Sequence, residues 1–496
     1  MGKKLIVIGS GFAGLSAATF MAKAGWEVTV LEKHHTPGGR ARQWKEAGFS
    51  FDMGPSWYWM PDIFERYFRN FGKEVADYYS LKRLDPSYRV YTGNDCMDVP
   101  ADITALKNVF AFIEKGADRQ LELFLQEAAH KYRVSMEKLV WKPGRSLTEF
   151  LDRDVLSGMV RLDIFRSMRS HVGRYFKDER IRQLMEFPVL FLGAMPDKIP
   201  ALYSLMNHAD MRGGTWYPQK GMYQVVEAMY SLAKEMGVQF CFGNNVQSLP
   251  VNNAHLTSVE AVQDHTLVTY EADAVIATAD YHHIETSLLE KRYRSYTERY
   301  WNTRLMAPGC LLYYIGLDKK LSGIAHHTLF LDTDFETHGR QIYQSPQWPT
   351  DPLFYTCASS VSDTSVAPEG CENLFLLVPV AAGLENDTEA LREQYLAMIL
   401  ARMEKHLQQP VAQHIIYKKT FANSDFIHEY NAFKGNAYGL ANTLRQTAFL
   451  KPSCRSSKVK NLFYAGQLTV PGPGVPPALI SGEIAAGELV KVFGYG

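Results

Sequence analysis

The chain carries no surplus of either charge: 53 Lys and Arg balance 53 Asp and Glu over 496 residues. A nucleic-acid binder shows a basic excess, so that class is excluded. Cysteine is scarce. The six (Cys96, Cys241, Cys310, Cys357, Cys371, Cys454) are scattered, with no CxxC pair and no metal-ligand spacing. This pattern predicts free thiols in a reducing compartment rather than a disulfide frame or a zinc site. Long hydrophobic runs are missing too. The longest, 305–317 and 374–384, are broken by Gly or Pro, and a bilayer span needs roughly 20 apolar residues. Met1 to Lys4 lead directly into the short apolar run 5–8, so no secretory signal is expected. Ile6 stands where a myristoylated N-terminus needs Ser or Thr. The chain reads as soluble or attached to one membrane face. What is present is material for a large core: 46% hydrophobic residues, which excludes disorder, and 12% aromatics, which point to apolar cavities or interfaces. The length predicts about three structural units.

Leu5-Ile6-Val7-Ile8 reads as a buried parallel strand, continuous and mostly β-branched. It runs into Gly9-Ser10-Gly11-Phe12-Ala13-Gly14, an Ala-rich helix over 15–24, and a second strand over 26–31. Glu32 stands at that strand's end, 18 residues after Gly14. Gly9 permits a tight turn, Gly11 lets backbone amides approach a pyrophosphate, and Gly14 allows close helix–strand packing. The helix N-terminus offers N–H groups and a positive dipole end to the phosphates. Glu32, with Lys33 beside it, would accept from ribose hydroxyls and disfavours a 2′-phosphate. No second fingerprint occurs, so one dinucleotide is expected, NAD or FAD.

The continuation favours FAD. Thr36-Pro37-Gly38-Gly39-Arg40-Ala41-Arg42 and then Phe51-Asp52-Met53-Gly54-Pro55 resemble the Gly-Gly-Arg stretch of FAD-containing amine oxidases and carotenoid desaturases. In those families the loop wraps the pyrophosphate and ribitol, which would give Arg40 a phosphate charge to neutralise. Further on, the aromatic run Trp57-Tyr58-Trp59-Met60 precedes an amphipathic helix from Pro61 with Ile63, Phe64, Tyr67, Phe68 and Phe71 on one face. Core packing and a substrate channel or membrane-dipping face both remain open for this stripe.

Residues 100–190 turn helical, and a helix is predicted over 223–235, then strands over 238–242 and 272–277. Between 286 and 445, strands at 309–316, 373–380 and 412–421 alternate with a helix that starts near Asp387 or Thr388 and stops before Pro410. That combination suits an antiparallel sheet with a helix on one face. The doublets His34-His35, His282-His283 and His326-His327 invite a metal. Adjacent residues on a strand point to opposite faces, and no carboxylates accompany them, so none is expected. At the end, a strand over 461–467 runs into a Pro/Gly-rich loop, 471–478, and a helix over 479–492. Such a turn presents amides and a positive helix end to a ligand.

Together these blocks resemble the bacterial carotenoid desaturases, the phytoene desaturases in particular, over residues 4–490. Residues 192–205, 213–221, 367–370, 434–447 and 466–476 belong to the same likeness. It implies an α/β fold: a split Rossmann-type FAD-binding domain of glutathione-reductase-like topology with an interleaved α+β substrate/lid domain. The FAD domain would comprise 1–85, 210–285 and 446–496, with a helical substrate or membrane-facing region at 86–209 and a substrate domain with an antiparallel sheet at 286–445. Noncovalent FAD would contact Gly9, Gly11, Phe12, Ala13, Gly14, Glu32, Lys33, Gly39, Arg40, Gly54 and Pro55. Val246, Gly466, Gln467, Gly474, Val475 and Pro476 would complete its site. Two departures stand out. Gln467 replaces an acid found in many relatives, as it does in carotenoid desaturases. An Asp/Arg pair of the relatives' helix matches Glu149 and Asp152, so only the acid's role carries over, to Glu149.

The implied reaction converts phytoene stepwise toward lycopene: hydride passes from an allylic carbon to flavin N5, and the adjacent carbon loses a proton. The protein would supply an apolar channel and alignment. The implied setting is cytoplasmic, peripheral to the inner face of the cell membrane, with oxygen or a quinone as electron acceptor and no nucleic-acid partner. The alternatives are a carotenoid isomerase, saturase or ketolase, an FAD amine oxidase, and a non-catalytic lipid or isoprenoid carrier of Rab-escort type.

Overall fold

The computed structural model describes residues 2–146, 149 and 163–496. Its hub is the strand Lys4–Ile8, paired in parallel with Glu27–Glu32 on one side and Ala274–Ala277 on the other. Gln239–Phe242 and Leu462–Tyr464 extend the two edges to a five-stranded parallel sheet. Three distant chain segments therefore share one layer. Both faces are covered, which is why the first strand is apolar from Leu5 to Ile8. Leu5 and Val7 join a core with Ala13, Ala17 and Ala18 of the helix Phe12–Lys23. Ile6 and Ile8 join another with Val246, Val259 and Ala261, contributed by a three-stranded antiparallel sheet.

The small residues of Phe12–Lys23 let it lie tightly against the last helix, Val475–Phe493, where Ser16 Oγ donates to Leu479 O at 2.8 Å. A Cβ on Gly482 would stand 2.3 Å from Ala13 O, so this approach requires glycine. That last helix starts four residues earlier than the sequence pattern indicates. Its first turn holds Pro476, whose missing N–H costs nothing there.

The second domain is built on a seven-stranded sheet, in the order Ile415–Phe421, Gly309–Leu317, Glu372–Val380, Phe354–Cys357, His327–Phe330, Tyr88–Thr92, Asp95–Val99. Along its two longest strands, Gly309–Leu317 and Glu372–Val380, the residues alternate. Leu311, Tyr313, Leu374, Leu376 and Val378 pack with the helix Glu389–Leu407. Cys310, Leu312, Phe375 and Leu377 face the other way, toward the centre of the molecule. The helix begins where its cap predicts: Thr388 Oγ1 accepts from Leu391 N at 3.3 Å.

Two expectations need correction. The segment 86–209 is not helical from its start, because Tyr88–Thr92 and Asp95–Val99 form a hairpin around Gly93-Asn94, and helix begins only at Ile103–Ile113. A Gly-Asn pair between short alternating runs is a hairpin signal. The sheet is also not purely antiparallel, since His327–Phe330 runs parallel to Tyr88–Thr92. Among the described residues, no helix is long and apolar enough to cross a membrane.

Candidate active site

A cavity of about 750 Å³ extends from the carboxyl edge of the parallel sheet to the inner face of the seven-stranded sheet. At the first end the chain turns sharply at Gly9 (φ +97°) and enters Phe12–Lys23 through Gly11, which offers no side-chain cap. Gly9, Gly11, Phe12 and Ala13 line the cavity. Gly14 does not. A Cβ there would stand 2.0 Å from Gly9 O, so its part is packing of the turn rather than ligand contact.

Glu32 lines the cavity with its carboxylate held from behind: Oε2 accepts from Ser10 N and Ser10 Oγ, both at 2.8 Å, and Oε1 from His34 N at 2.9 Å. Lys33 lines the same wall and donates to His428 O at 3.1 Å. Gly39 (φ +55°) faces Gly11 across the cleft, so closely that a Cβ on it would stand 3.3 Å from Gly11 Cα. Gly54 and Pro55 also line it, and Gly54 backs so tightly on Arg40 that a Cβ would stand 2.4 Å from Arg40 O. Asp52, just before them, caps the helix Tyr223–Glu235 by accepting from Met222 N (2.7 Å) and Tyr223 N (3.0 Å). Burial pushes its carboxyl up to about 6 despite those bonds.

From the far end of the chain come Gly466, Gln467, Gly474, Val475 and Pro476, with Val246 from the antiparallel sheet. Gly474 (φ +112°) stands at the uncapped start of Val475–Phe493, so a second helix N-terminus opens on the cavity. One amide atom of Gln467 lies 2.9 Å from Asn436 Oδ1 and 3.2 Å from Arg40 Nη2.

Arg40 is the group that calls for a ligand. Its Nε is buried with no partner, and its ring neighbour is Tyr430, with the centroid 5.3 Å away. Burial pushes its guanidinium below the ordinary value, opposed by nearby Asp280. A buried guanidinium with no carboxylate partner and an unpartnered Nε, two helix N-termini and a cleft kept clear by Gly11 and Gly39 fit a pyrophosphate. The acid Glu32 fits the adjacent ribose.

The remaining wall is apolar. Leu192, Leu205, Met206, Leu312, Phe375 and Leu377 line this arm. Glu32, Lys33, Arg40, Asp280 and Glu429 all lie on the dinucleotide side, Lys142 lines a third stretch with Met136, Leu139 and Val140, and the seven-stranded sheet and residues 192–206 contribute no charged side chain to the lining.

The aromatic stretch divides between its two readings. Trp57, Trp59 and Met60 line the cavity, whereas Ile63, Phe64, Tyr67 and Phe68 of Pro61–Arg69 are buried in a core cluster with Leu15 and Met229. Sequence reasoning missed Tyr355, Tyr430 and Ser56, which no motif marks.

Glu149 stands apart from the cavity. Its carboxylate accepts from Gly144 N (3.0 Å) and Arg145 N (3.2 Å), closing a loop. Asp152 lies outside the described residues. Glu149→Gln is expected to retain wild-type turnover, measured as product per bound flavin, because the side chain stands outside the cavity and the amide oxygen still accepts one of the two loop bonds.

The histidine doublets do not behave as strand neighbours. His282 and His283 sit in a short helical turn capped by Asp280. His326 precedes its strand, and its ring lies 4.5 Å from that of His327. Donor atoms of His326, His327 and Cys357 come within 4.8 Å of one another.

Lys451 is wholly buried, its Nζ has no partner, and burial pushes it down to about 7. The unfolded chain binds this proton up to about pH 10.4 and the folded chain only to about 7. Its contribution to stability therefore rises with pH across that window. Lys451→Met removes the penalty: the variant is expected to be more stable at pH 7, with its advantage shrinking by up to about 1.4 kcal/mol per pH unit above that. Urea unfolding of both proteins between pH 7 and 10 checks the slope.

Comparison with known proteins agrees with this geometry. The family described as flavin containing amine oxidoreductase matches residues 12–490. A carotenoid 3,4-desaturase of Haloarcula japonica is 41% identical over 492 residues, 99% of this chain and 98% of that protein. A zeta-carotene-forming phytoene desaturase of Myxococcus xanthus is 31% identical, covering 99% of this chain and 94% of its own. Among solved structures, an oxidoreductase from Methanosarcina mazei shares the fold with a TM-score of 0.63 at 15% identity, over 97% of this chain and 99% of that one.

Proposed function

The chain belongs to the flavin-containing amine oxidoreductase family and within it to the carotenoid desaturases, and from that premise we propose that it desaturates an acyclic carotenoid lying in the apolar arm. It is an FAD-dependent oxidoreductase. The observation that carries the substrate reading is the continuity of an uncharged arm with a dinucleotide cradle. A hydrocarbon offers no charge to pair, and this wall supplies none. An amine substrate would leave its ammonium without a carboxylate there. A lipid carrier would have no use for a buried Arg40 with no carboxylate partner beside an intact glycine turn.

Bound FAD would supply two-electron oxidation at an allylic carbon. The chain's residues do the rest. Arg40, the Gly11 turn and the start of Val475–Phe493 hold the dinucleotide, and Glu32 fixes its ribose. Leu192, Leu205, Leu312 and Leu377 align the polyene and exclude water, which removes side reactions and holds the reacting carbon in place. Leu444, Phe449 and Leu450 line the cavity while remaining 44%, 36% and 41% exposed, an apolar rim through which a membrane-dissolved substrate would enter. That rim supports peripheral contact with a membrane, which our reading places at its cytoplasmic face.

The test uses flavin-loaded protein in liposomes carrying either phytoene or a more unsaturated acyclic carotenoid, because the two relatives differ in the bond they are named for. Oxygen and a quinone are supplied separately. The expected product has lost two hydrogens by mass and absorbs at longer wavelength. Unchanged substrates in every arm would sink the desaturase reading. Protein that cannot be loaded with FAD would favour the carrier.

A further inference from the structure

Neighbours within a strand point to opposite faces, which would keep the rings of His326 and His327 apart. The fold places them otherwise. His326 stands one residue before the strand His327–Phe330, and its carbonyl accepts from Ala358 N at 2.8 Å. Its ring lies 4.5 Å from that of His327, edge to face. Across the strand pair, His327 is in register with Cys357. One ring nitrogen from each histidine and Cys357 Sγ all lie within 4.8 Å of one another, and all three residues are buried. A thiol far along the chain therefore joins a histidine doublet, which no spacing in the sequence marks.

These donors are bare. His327 Nε2 and both ring nitrogens of His326 are buried without a partner, and leaving buried polar groups unpaired is costly. His327 is also held as ligating histidines are. Its Nδ1 lies 2.6 Å from the Tyr355 hydroxyl, which lies 2.9 Å from Ser56 Oγ. Its ring is stacked on Trp57, with centroids 4.0 Å apart and planes 12° from parallel. With the Nδ1 proton donated to Tyr355, the lone pair sits on Nε2, the nitrogen that lacks a partner. A second cluster, Glu127, Asp163 and His171, makes the contrast. There a cation is already in place: Lys131 Nζ lies 2.7 Å from Glu127 Oε1 and 3.3 Å from Asp163 Oδ2. Among the described residues, no lysine or arginine bonds to the bare nitrogens of His326 and His327.

We propose that His326, His327 and Cys357 bind one copper(I) ion. Binding forms one copper–sulfur and two copper–nitrogen bonds, the thiol proton leaves to solvent, and the copper stays monovalent. Thiolate and imidazole are the donors that soft copper takes. Zinc closes its structural sites with four ligands, and three are here. The acids whose charge reaches the cluster are engaged elsewhere: Asp52 accepts from Met222 N and Tyr223 N, and Asp363 from Lys220 N and Ser365 N. Copper(I) cancels the thiolate charge, whereas zinc would leave a net positive charge on buried ligands. Bonds of about 2.0 Å to nitrogen and 2.3 Å to sulfur set donor atoms roughly 3.3–3.8 Å apart, so closure asks for a shift of roughly 1 Å. His326, whose ring makes no hydrogen bond, is the ligand free to supply it. Trp57 and Tyr355 both touch His327 and both line the cavity, so the ion would clamp that stretch of wall.

The test uses the full flavin-loaded chain, produced without oxygen and with copper(I) and zinc(II) supplied in equal amounts. After dialysis, metal content is read and the bound copper is titrated with bicinchoninate, a coloured copper(I) chelator. Wild type is expected to hold about one copper per chain and little zinc. Cys357→Ser and His326→Asn are expected to lose it. Tyr355→Phe keeps all three ligands but frees the His327 ring, and should bind copper roughly 10- to 100-fold more weakly. Buried substitutions can spoil folding, so X-ray absorption on copper-loaded wild type gives a reading that needs no variant. One sulfur and two nitrogen neighbours are expected. Copper held equally by wild type and both ligand variants, or a shell without sulfur, overturns the site. Zinc held in preference to copper overturns the choice of ion, and a chain that keeps neither metal overturns both. None of these readings depends on carotenoid turnover, so the desaturase reading stands or falls separately.

Discussion

Gly11→Val is expected to give a folded protein with no flavin and no turnover. Gly11 has φ −71° and ψ −179°, a conformation open to any residue, so valine imposes no backbone strain. Nothing but Gly38 O, at 4.0 Å, stands near its Cβ position. The space that glycine leaves clear is the cavity, between the Gly11 turn and Gly39. Two added methyl groups would fill it where backbone amides must approach the pyrophosphate. Gly14→Ala makes the contrast. Its Cβ would meet Gly9 O at 2.0 Å and Thr278 Oγ1 at 2.8 Å, so the turn itself must give way. The first variant should be colourless with a melting temperature like that of flavin-free wild type; the second should melt lower even without flavin. Yellow, active Gly11→Val protein would remove this turn from the cofactor site.

The parallel-sheet half was open to sequence reading because its signals are local and mutually consistent. A strand buried on both faces must be continuously apolar, a glycine turn must precede a helix that touches phosphate, and the acid must end the next strand. Residues 4–32 obey all three, and Gly9, Gly11, Phe12, Ala13 and Glu32 duly converge. The apolar arm was not open in this way. Leu192, Leu312 and Leu377 are ordinary core residues in sequence; only the sheet pairing of Gly309–Leu317 with Glu372–Val380 turns one face toward a cavity and the other toward a helix. The hairpin over 88–99 carries its own local signal at Gly93-Asn94, but its place in the large sheet is set by His327–Phe330, more than 200 residues away. Tyr355 and His327 meet for the same reason, across a strand pair with register His327 to Cys357. Glu149 failed in the opposite direction. A family role was carried to an acid whose nearest backbone amides, those of Gly144 and Arg145, already occupy it.

Arg40→Met is expected to move two measurements in opposite directions. Without flavin, Arg40 is a cation inside the protein with Nε unpartnered, and no carboxylate among the described residues forms an ion pair with it. Asp280, the acid whose charge acts on Arg40, accepts from His282 N (3.0 Å), His283 N (3.3 Å) and Phe433 N (3.2 Å), so it keeps its partners when the guanidinium goes. An apolar side chain of similar length removes a desolvation penalty, and such replacements are neutral or stabilising. The flavin-free variant should therefore melt at or above the wild-type temperature. With flavin the sign reverses. A guanidinium facing a pyrophosphate gives charge-assisted bonds worth about 1.5–3 kcal/mol each, so losing one or two raises the FAD Kd by roughly 100-fold. Arg40→Lys keeps the charge but not the planar fork, and should fall between the two. Titration of FAD into the three flavin-free proteins, with melting curves at each point, reads both quantities. General damage to the domain would lower the melting temperature and the affinity together. Only a residue kept charged for the sake of a bound anion would make the empty protein more stable and the loaded one weaker.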